Sequence, residues 1–189
     1  MRFAYADPPY LGCCGLYDHF HGDDGRCWDD VETHRLLIER LCDEFPDGWA
    51  LSLSEPSLRH LLPLTPEGAR TAAWVKPFAS FKPNVNPAYT WEPVVFYGGR
   101  NRERYEPTAK DHHIEAPAVA ENITLKRGFT GAKPEGFCIW LLDLLGVRPE
   151  DEIVDLFTGS GAVRRAWDAY RGRPVEGAPP NLFDSEDAA

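Results

Sequence analysis

The sequence lacks an apolar run long enough to cross a membrane. Of its 189 residues, 43% are hydrophobic and 26% are charged, and no apolar segment approaches the roughly 20 residues of a spanning helix. The amino terminus also lacks the basic and then long apolar stretch that is typical of a secretory signal. We therefore expect a cytoplasmic protein with a single core, for which about 190 residues are sufficient.

Cysteine pairs at metal-binding or redox spacing are also missing. The five cysteines include no C-x-x-C pair and are odd in number, which is typical of reduced thiols. Residues 11–30 are predicted to form a functional loop that contains Cys13, Cys14, Cys27, His19 and His21. A zinc site is one interpretation of this loop, but the spacing matches no common zinc pattern, and we expect no metal.

Basic residues are outnumbered in this chain, with 20 Lys and Arg against 30 Asp and Glu, a formal net charge of −10. That balance argues against a polyanionic partner. The middle of the chain differs, because residues 70–133 carry 10 basic and 6 acidic side chains, so a nucleic acid would bind there. Candidate phosphate contacts are Arg100, Arg102, Arg104, Lys126 and Arg127; a solvated charged face is the alternative.

The apolar pattern predicts an α/β fold. Short apolar runs predict strands, and apolar positions three and four residues apart predict helices. The predicted strands are residues 3–6, 49–54, 72–75, 93–97 and 153–157, and the predicted helices are residues 29–45, 56–62, 134–145 and 162–170. We predict one domain over residues 1–176, a flexible or target-recognition insertion over residues 98–132, and a disordered tail over residues 177–189.

A strand, a turn with two glycines and a helix follow one another in D155-L-F-T-G-S-G161. Gly159 and Gly161 allow a tight turn, and the helix offers unpaired N–H groups to a ligand. No Gly-Lys-Ser/Thr follows, and Arg164 replaces the third glycine of the dinucleotide fingerprint. Asp155 disfavours a phosphate, so the motif indicates a cationic, nucleoside-like ligand; a turn without any ligand is the alternative.

The second motif, D7-P-P-Y10, directly follows the first predicted strand. It offers a carboxylate, a free carbonyl and an aromatic ring within four residues. The exocyclic amine of a nucleobase could donate to Asp7 and to the Pro8 carbonyl while Tyr10 stacks on the base. A turn with a buried tyrosine is the alternative. Glu92, in a predicted strand region, is interpreted as structural rather than as a base.

Together these motifs resemble those of amino-methyltransferases that use S-adenosylmethionine: ADPPY resembles the catalytic motif and DLFTGSG the cofactor loop. The order, with the catalytic motif first, resembles the permuted, beta-type order of DNA methyltransferases that act on adenine N6 or cytosine N4. The segments WVKPF, EPVVFY and TGAKPEGFCIWLLDLLG are similar to weaker family segments. The resemblance covers residues 3–97 and 124–176.

The resemblance implies a role for each matching position. Asp7 and the Pro8 carbonyl would bind the target amine, Pro9 would hold the bend, and Tyr10 would stack on the base. The cofactor would be lined by Asp155, Phe157, Gly159, Ser160 and Gly161. Lys133 and Pro134 would lie near the amino-acid end of the cofactor, and Glu176 would meet its ribose.

The implied fold is a Rossmann-like α/β methyltransferase fold with a mostly parallel sheet in circularly permuted order. The implied reaction is methyl transfer from S-adenosylmethionine to adenine N6 of a base flipped out of DNA; Phe78, Phe81 and Tyr89 could help to receive that base, and residues 11–30 would form a lid. Asp rather than Ser or Asn at position 7 favours adenine over cytosine N4.

Alternatives remain open: cytosine N4, an RNA base, or a non-catalytic protein that binds cofactor or nucleic acid. The chain ends where the family normally continues through another strand, so we expect a truncated cofactor pocket or one completed by a second copy in a homodimer. The compact, single-module form would suit a phage or mobile-element enzyme, as the resemblance implies.

Overall fold

The computed structural model describes residues 1–13, 28–77, 86–116 and 133–172. This part of the chain forms six strands and four helices. The strands are β1 (Arg2–Ala6), β2 (Gly48–Ser52), β3 (Arg70–Val75), β4 (Trp91–Gly98), β5 (His112–Ile114) and β6 (Glu152–Asp155). The helices are α1 (Val31–Glu44), α2 (Glu55–Leu61), α3 (Glu135–Leu145) and α4 (Ala162–Arg171), and a 3-10 turn (Leu62–Leu64) follows α2.

The six strands form one sheet in the order β5-β3-β4-β2-β1-β6. Strand β4 runs antiparallel to both of its neighbours, and every other adjacent pair is parallel. Five strands therefore point the same way and end at one edge of the sheet, which we call the carboxyl edge. This arrangement confirms the predicted α/β fold with a mostly parallel sheet.

Helices cover both faces of the sheet, which explains the continuous apolar run of β1. Phe3 and Tyr5 pack with Phe137 of α3 and Trp167 of α4 in one core cluster. The intervening Ala4 and Ala6 belong to the opposite cluster, which contains α1. Because successive side chains of a strand alternate between faces, β1 contributes to both cores and fixes the layers relative to each other.

Helix boundaries follow the local sequence. The Asp30 side chain accepts a hydrogen bond from the Glu32 amide at 3.1 Å and caps α1. Helix α3 begins after Pro134 and ends at Gly146, whose φ of +67° lies in the left-handed region. A glycine commonly ends a helix in this way because it has no Cβ to clash, and the predicted end of α3 at Gly146 is confirmed. No helix in the described residues is long and apolar enough to span a bilayer.

Strand β5 is a difference from the sequence prediction. His112–Ile114 pairs with β3 at the edge of the sheet, inside the segment predicted as an insertion. The pattern gave no signal because an edge strand of three residues with two histidines has no apolar alternation. Residues 117–132 of that insertion and the predicted tail at residues 177–189 lie outside the described residues.

Candidate active site

Two neighbouring strands bring the sequence motifs to the same edge of the sheet. Strands β1 and β6 run parallel with Tyr5 opposite Asp155, and the Leu156 amide donates to the Tyr5 carbonyl at 3.0 Å. Asp7 directly follows β1, and residues 156–161, the glycine turn, directly follow β6. Asp7 and the glycine turn therefore leave the sheet at neighbouring positions of the carboxyl edge, where open α/β sheets bind ligands.

Asp7 forms an ion pair with Lys133. The Lys133 Nζ lies 2.9 Å from the Asp7 Oδ1, and the two side chains are 7% and 21% exposed. Burial raises the pKa of the Asp7 carboxyl, and the positive charge of Lys133 opposes this effect. The contact places Lys133 at the D-P-P-Y motif, whereas its predicted role at the amino-acid end of a cofactor stays a prediction. Pro134, its neighbour, is buried at the start of α3.

The Tyr10 hydroxyl lies among three charged groups. It is 3.0 Å from Oε2 of Glu92 and 3.3 Å from Oδ1 of Asp7, and the Lys133 ammonium donates to it at 3.2 Å. Burial and the two carboxylates raise the pKa of Tyr10 well above its usual value, so the hydroxyl keeps its proton. The shorter distance makes Glu92 the main acceptor of that proton. The prolines between Asp7 and Tyr10 are buried and fix the bend.

Glu92 and Lys76 complete this network, and the sequence interpretation placed neither in the site. Lys76 forms an ion pair with Oε1 of Glu92, and its ammonium lies 4.2 Å from the centroid of the Trp74 ring. Burial lowers the pKa of Lys76 against the attraction of Glu92. Burial alone would raise the pKa of Glu92, but the charges of Lys133 and Lys76 outweigh it and lower that pKa.

Of these two residues, only Lys76 has a signal in the sequence, which is its position directly after a predicted strand. Lys76 directly follows β3, and Glu92 is the second residue of β4. Because β4 is antiparallel to its neighbours, its beginning lies at the same edge as the ends of the other strands. The orientation of β4 is a tertiary property, so a pattern search along the chain could not place Glu92 beside Asp7.

The glycine turn is shaped by its own backbone. The Asp155 carboxylate accepts from the Phe157 amide at 3.2 Å, and the Gly161 amide donates to the Thr158 carbonyl. Gly159 and Gly161 have φ of +38° and +70°, which favours glycine. A Cβ added at Gly159 would have the Phe157 carbonyl oxygen as its nearest neighbour, at 3.7 Å, so the turn is open to an approaching ligand.

Electrostatics also distinguish this turn. Burial and the charge of Asp7 raise the pKa of Asp155, while the Phe157 amide opposes the shift. The start of α4 at Gly161 has no side-chain cap, and the first N–H groups of a helix have no partner within the helix. Arg165 donates to the Ser160 carbonyl at 2.7 Å and braces the turn from the helix side. A partly buried carboxylate beside the start of a helix suits a ligand that carries a cation and hydroxyl groups.

An aromatic group adjoins the turn on the α1 face of the sheet. The Trp28 ring meets the Phe157 ring edge to face at 5.1 Å, and the buried His34 ring contacts Trp28 at 5.3 Å. His34 Nε2 lies 2.9 Å from the Trp28 carbonyl, which only accepts, so this nitrogen carries the hydrogen. Burial lowers the pKa of His34, which keeps the ring neutral. Trp28 was not among the predicted site residues.

The predicted phosphate contacts fall elsewhere. Arg100 donates to both oxygens of the buried Asp151 and to the Gly146 carbonyl, and Arg102 donates to the Pro107 and Asp143 carbonyls. Both arginines follow the end of the antiparallel strand β4 and thus lie at the sheet edge opposite Asp7. Their predicted contact with phosphates stays a prediction. Arg104 is exposed, 5.7 Å from the centroid of the Tyr105 ring.

Several predicted residues lie outside the described part of the chain. They are Glu176, Lys126, Arg127, Phe78 and Phe81, together with residues 14–27 of the predicted loop. Tyr89 is described and is 44% exposed.

The fold was compared with those of known proteins. No protein-family model and no curated protein matches the chain. The crystal structure of the M1.HpyAVI–SAM complex is similar, with a TM-score of 0.56 and 14% identity over 89% of this chain and 78% of that chain. A crystal structure of M1.HpyAVI is similar with a TM-score of 0.51 and 13% identity, over 90% and 76% of the two chains. At these identities the comparison establishes a shared α/β fold.

Proposed function

We propose that this protein is an S-adenosylmethionine-dependent methyltransferase that acts on the exocyclic N6 amine of adenine in DNA. One observation carries the proposal: the D-P-P-Y motif and the glycine turn leave adjacent parallel strands with Tyr5 opposite Asp155. A nucleobase held by the first and a cofactor held by the second would meet at one edge. The similarity to M1.HpyAVI, whose complex with SAM is known, supports the same conclusion.

The residues of the glycine turn fit this cofactor. The Asp155 carboxylate provides negative charge for a cationic ligand, and the positive φ values of Gly159 and Gly161 leave backbone open to it. Phe157, held against Trp28, offers an aromatic surface, and Ser160 lies within the turn. When bound, the cofactor supplies a methyl group activated by a sulfonium. Pro134 and Glu176 are proposed as further contacts.

Asp7 and the Pro8 carbonyl are proposed to orient the target amine. The lone pair of that amine is delocalised into the base, and hydrogen bonds from its two N–H groups to these acceptors favour a nitrogen that can attack. The amine nitrogen would attack the methyl carbon in line while the carbon–sulfur bond breaks and the thioether leaves, and the methylated nitrogen would give up a proton to solvent. The chain therefore contributes mainly positioning and a site shielded from water. Tyr10 is proposed to stack on the flipped base.

DNA contact is proposed for the basic middle of the chain. In the described residues, Arg104 is exposed, whereas the guanidinium groups of Arg100 and Arg102 are already bonded within the chain. Arg104 is therefore the best phosphate contact of these three, and Lys126 and Arg127 are proposed as further phosphate contacts. Because phosphate contacts release counterions, Arg104→Gln is expected to reduce the salt dependence of DNA binding.

The product of the reaction tests the proposal. Purified protein is incubated with labelled S-adenosylmethionine and with either unmethylated duplex DNA or structured RNA. The nucleic acid is then digested to nucleosides, and the methylated nucleoside is identified by mass spectrometry. The proposal predicts N6-methyladenine in DNA. Product only in RNA, or N4-methylcytosine, would replace the substrate assignment, and cofactor binding without any product would establish a non-catalytic protein.

A further inference from the structure

The Lys133 ammonium occupies the acceptor that the proposed reaction needs. It lies 2.9 Å from Oδ1 of Asp7 and donates to the Tyr10 hydroxyl at 3.2 Å. Its side chain is 7% exposed, and the Tyr10, Trp74 and Phe137 ring centroids lie 5.5, 5.5 and 6.0 Å from its Nζ. A nitrogen with several N–H groups is thus held on the catalytic carboxylate by the protein itself.

A target amine is a second nitrogen donor for the same carboxylate. An ammonium binds a carboxylate more strongly than a neutral amine does, because the bond is charge-assisted. While Lys133 remains in place, it both fills space beside Asp7 and withdraws negative charge from it. Productive binding of the amine is therefore easier after the ammonium has moved.

Glu92 is placed to receive that ammonium. The Tyr10 hydroxyl is within hydrogen-bond distance of Asp7, Lys133 and Glu92, so the two carboxylates contact the same hydroxyl group. The positive charge of Lys133, together with Lys76, already favours the charged form of Glu92 and lowers its pKa. The Lys76 ammonium, already paired with Glu92, contacts the same Trp74 ring as Lys133.

We propose that Lys133 occupies the target-amine subsite of the free protein and moves from Asp7 to Glu92 when the amine enters. This inference rests on the proposed function. Without a base, the Lys133 ammonium thus compensates the charge of Asp7, and an entering base must displace this ammonium. Lys133 and Glu92 are then positioning residues that set the affinity for the target base.

The exchange has a distinctive signature in steady-state kinetics. A competitor that holds part of the population in a closed form raises the apparent dissociation constant of the substrate, which equals the intrinsic constant divided by the open fraction. The variant Lys133→Met is expected to lower the KM for unmethylated duplex DNA about fivefold, and Glu92→Gln to raise it about fivefold, because the released ammonium loses its partner. The double variant is expected to match Lys133→Met, because without the ammonium Glu92 has nothing to receive.

Lys76→Met removes the other ammonium of the network without vacating Asp7, and it leaves Glu92 with one partner fewer. It is expected to lower the KM less than Lys133→Met does. Thermal unfolding and calorimetric cofactor binding of each variant establish that the fold and the cofactor site are retained, and Lys133→Gln replaces Lys133→Met if the latter fails to fold.

The outcomes separate this inference from the proposed function. If the wild-type protein transfers no methyl group to DNA, the proposed function fails. If the wild-type protein is active but Lys133→Met raises the KM, or the two single effects add in the double variant, Lys133 supports the site and the exchange is wrong. The inference is also wrong if Lys133→Met lowers the KM but Glu92→Gln changes the KM by the same factor in the wild-type protein and in Lys133→Met.

Discussion

Asp7 is a carboxylate in a setting that disfavours its charge. It is partly buried, and burial raises its pKa, while the neighbouring ammonium of Lys133 moderates the effect. A carboxylate that accepts hydrogen bonds from an amine must be ionised to accept them well. Local packing therefore sets the pKa of Asp7, and this pKa sets the pH below which the proposed reaction slows.

This connection predicts the acid side of the pH profile. In the proposed reaction, kcat/KM falls as Asp7 becomes protonated, and the midpoint of that fall lies above the ordinary value of 3.8. Lys133→Met removes the positive charge that favours the carboxylate, so the acid limb is expected to move to still higher pH. The measurement is kcat/KM for methyl transfer across the acid range, with Lys76→Met as the matched control. An acid limb that moves to lower pH in Lys133→Met would contradict the assignment.

Asp151 provides a prediction for stability. Its side chain is 1% exposed and accepts from the Met1 amino group, the Arg100 guanidinium and the Arg148 amide. The variant Asp151→Asn leaves Arg100 without its anion. We expect it to reduce the free energy of unfolding by about 2 kcal/mol, less than the roughly 3–5 kcal/mol of a fully buried pair because both cations are partly exposed. Urea unfolding at neutral pH measures the change.

The pH dependence of that stability has a definite sign. Burial alone would raise the pKa of Asp151, but its bonds to Met1 and Arg100 outweigh burial and lower the pKa in the folded state below 3.8. The contribution of Asp151 is therefore complete above this value and is lost as the pH falls through the lowered pKa. Asp151→Asn is expected to show a smaller loss of stability in that acid range; an identical pH dependence in both proteins would contradict this role.

Among the residues of the site, sequence reasoning found those that form contiguous motifs. Asp7, Tyr10, Asp155 and the two glycines stand in short segments whose chemistry can be read locally. The network that surrounds them joins distant positions, with Tyr10 and Glu92 separated by 82 residues and Lys133 and Tyr10 by 123. Only the folded sheet determines that these side chains meet, which is why the sequence alone indicates a structural role for Glu92.

At the scale of elements, the predicted strands and helices follow from apolar spacing and from their end signals. Strands β1, β2 and β6 and helix α3 are predicted close to their observed bounds because both their periodicity and their boundaries are encoded locally. Strand β5 is not predicted, because its sequence has no apolar alternation and the strand forms by pairing with β3. The antiparallel orientation of β4 likewise depends on its neighbours.

The end of α3 gives a prediction at this scale. Gly146 has a φ of +67°, and an added Cβ would lie 3.0 Å from the Arg100 Cβ. Gly146→Ala therefore adds both backbone strain, about 1–2 kcal/mol, and a contact with a residue that Asp151 holds in place. Gly68→Ala is the matched control, since its φ is +91° but nothing lies within 4 Å of an added Cβ.

We expect Gly146→Ala to lower the free energy of unfolding more than Gly68→Ala does, as measured by urea unfolding. A φ of +91° strains alanine at least as much as a φ of +67° does. Equal losses in the two variants would therefore contradict the cost expected for the contact with Arg100.

At the scale of the whole molecule, the sheet has a structural edge and a chemical edge. At the carboxyl edge, Asp7, Glu92, Lys76, Lys133 and the glycine turn come together. At the opposite edge, Arg100 joins Asp151 and the chain's amino group. The sheet creates this division, because its five parallel strands all end at the carboxyl edge while β4, between β3 and β2, runs in the opposite direction. This separation of the two edges explains why Arg100, in the predicted DNA-binding segment, can stabilise the fold through Asp151 instead.

The central claim is that β1 and β6 build two halves of one site with separate tasks. Calorimetric S-adenosylmethionine binding and labelled methyl transfer to unmethylated DNA, measured together on Asp7→Ala and Asp155→Ala, test it most directly. We predict that Asp7→Ala binds the cofactor with nearly unchanged affinity but transfers methyl at less than about a tenth of the wild-type rate, a loss above roughly 1.4 kcal/mol, and that Asp155→Ala binds the cofactor more weakly. Transfer by Asp7→Ala within about tenfold of wild type, or unchanged cofactor affinity in Asp155→Ala, would contradict the account.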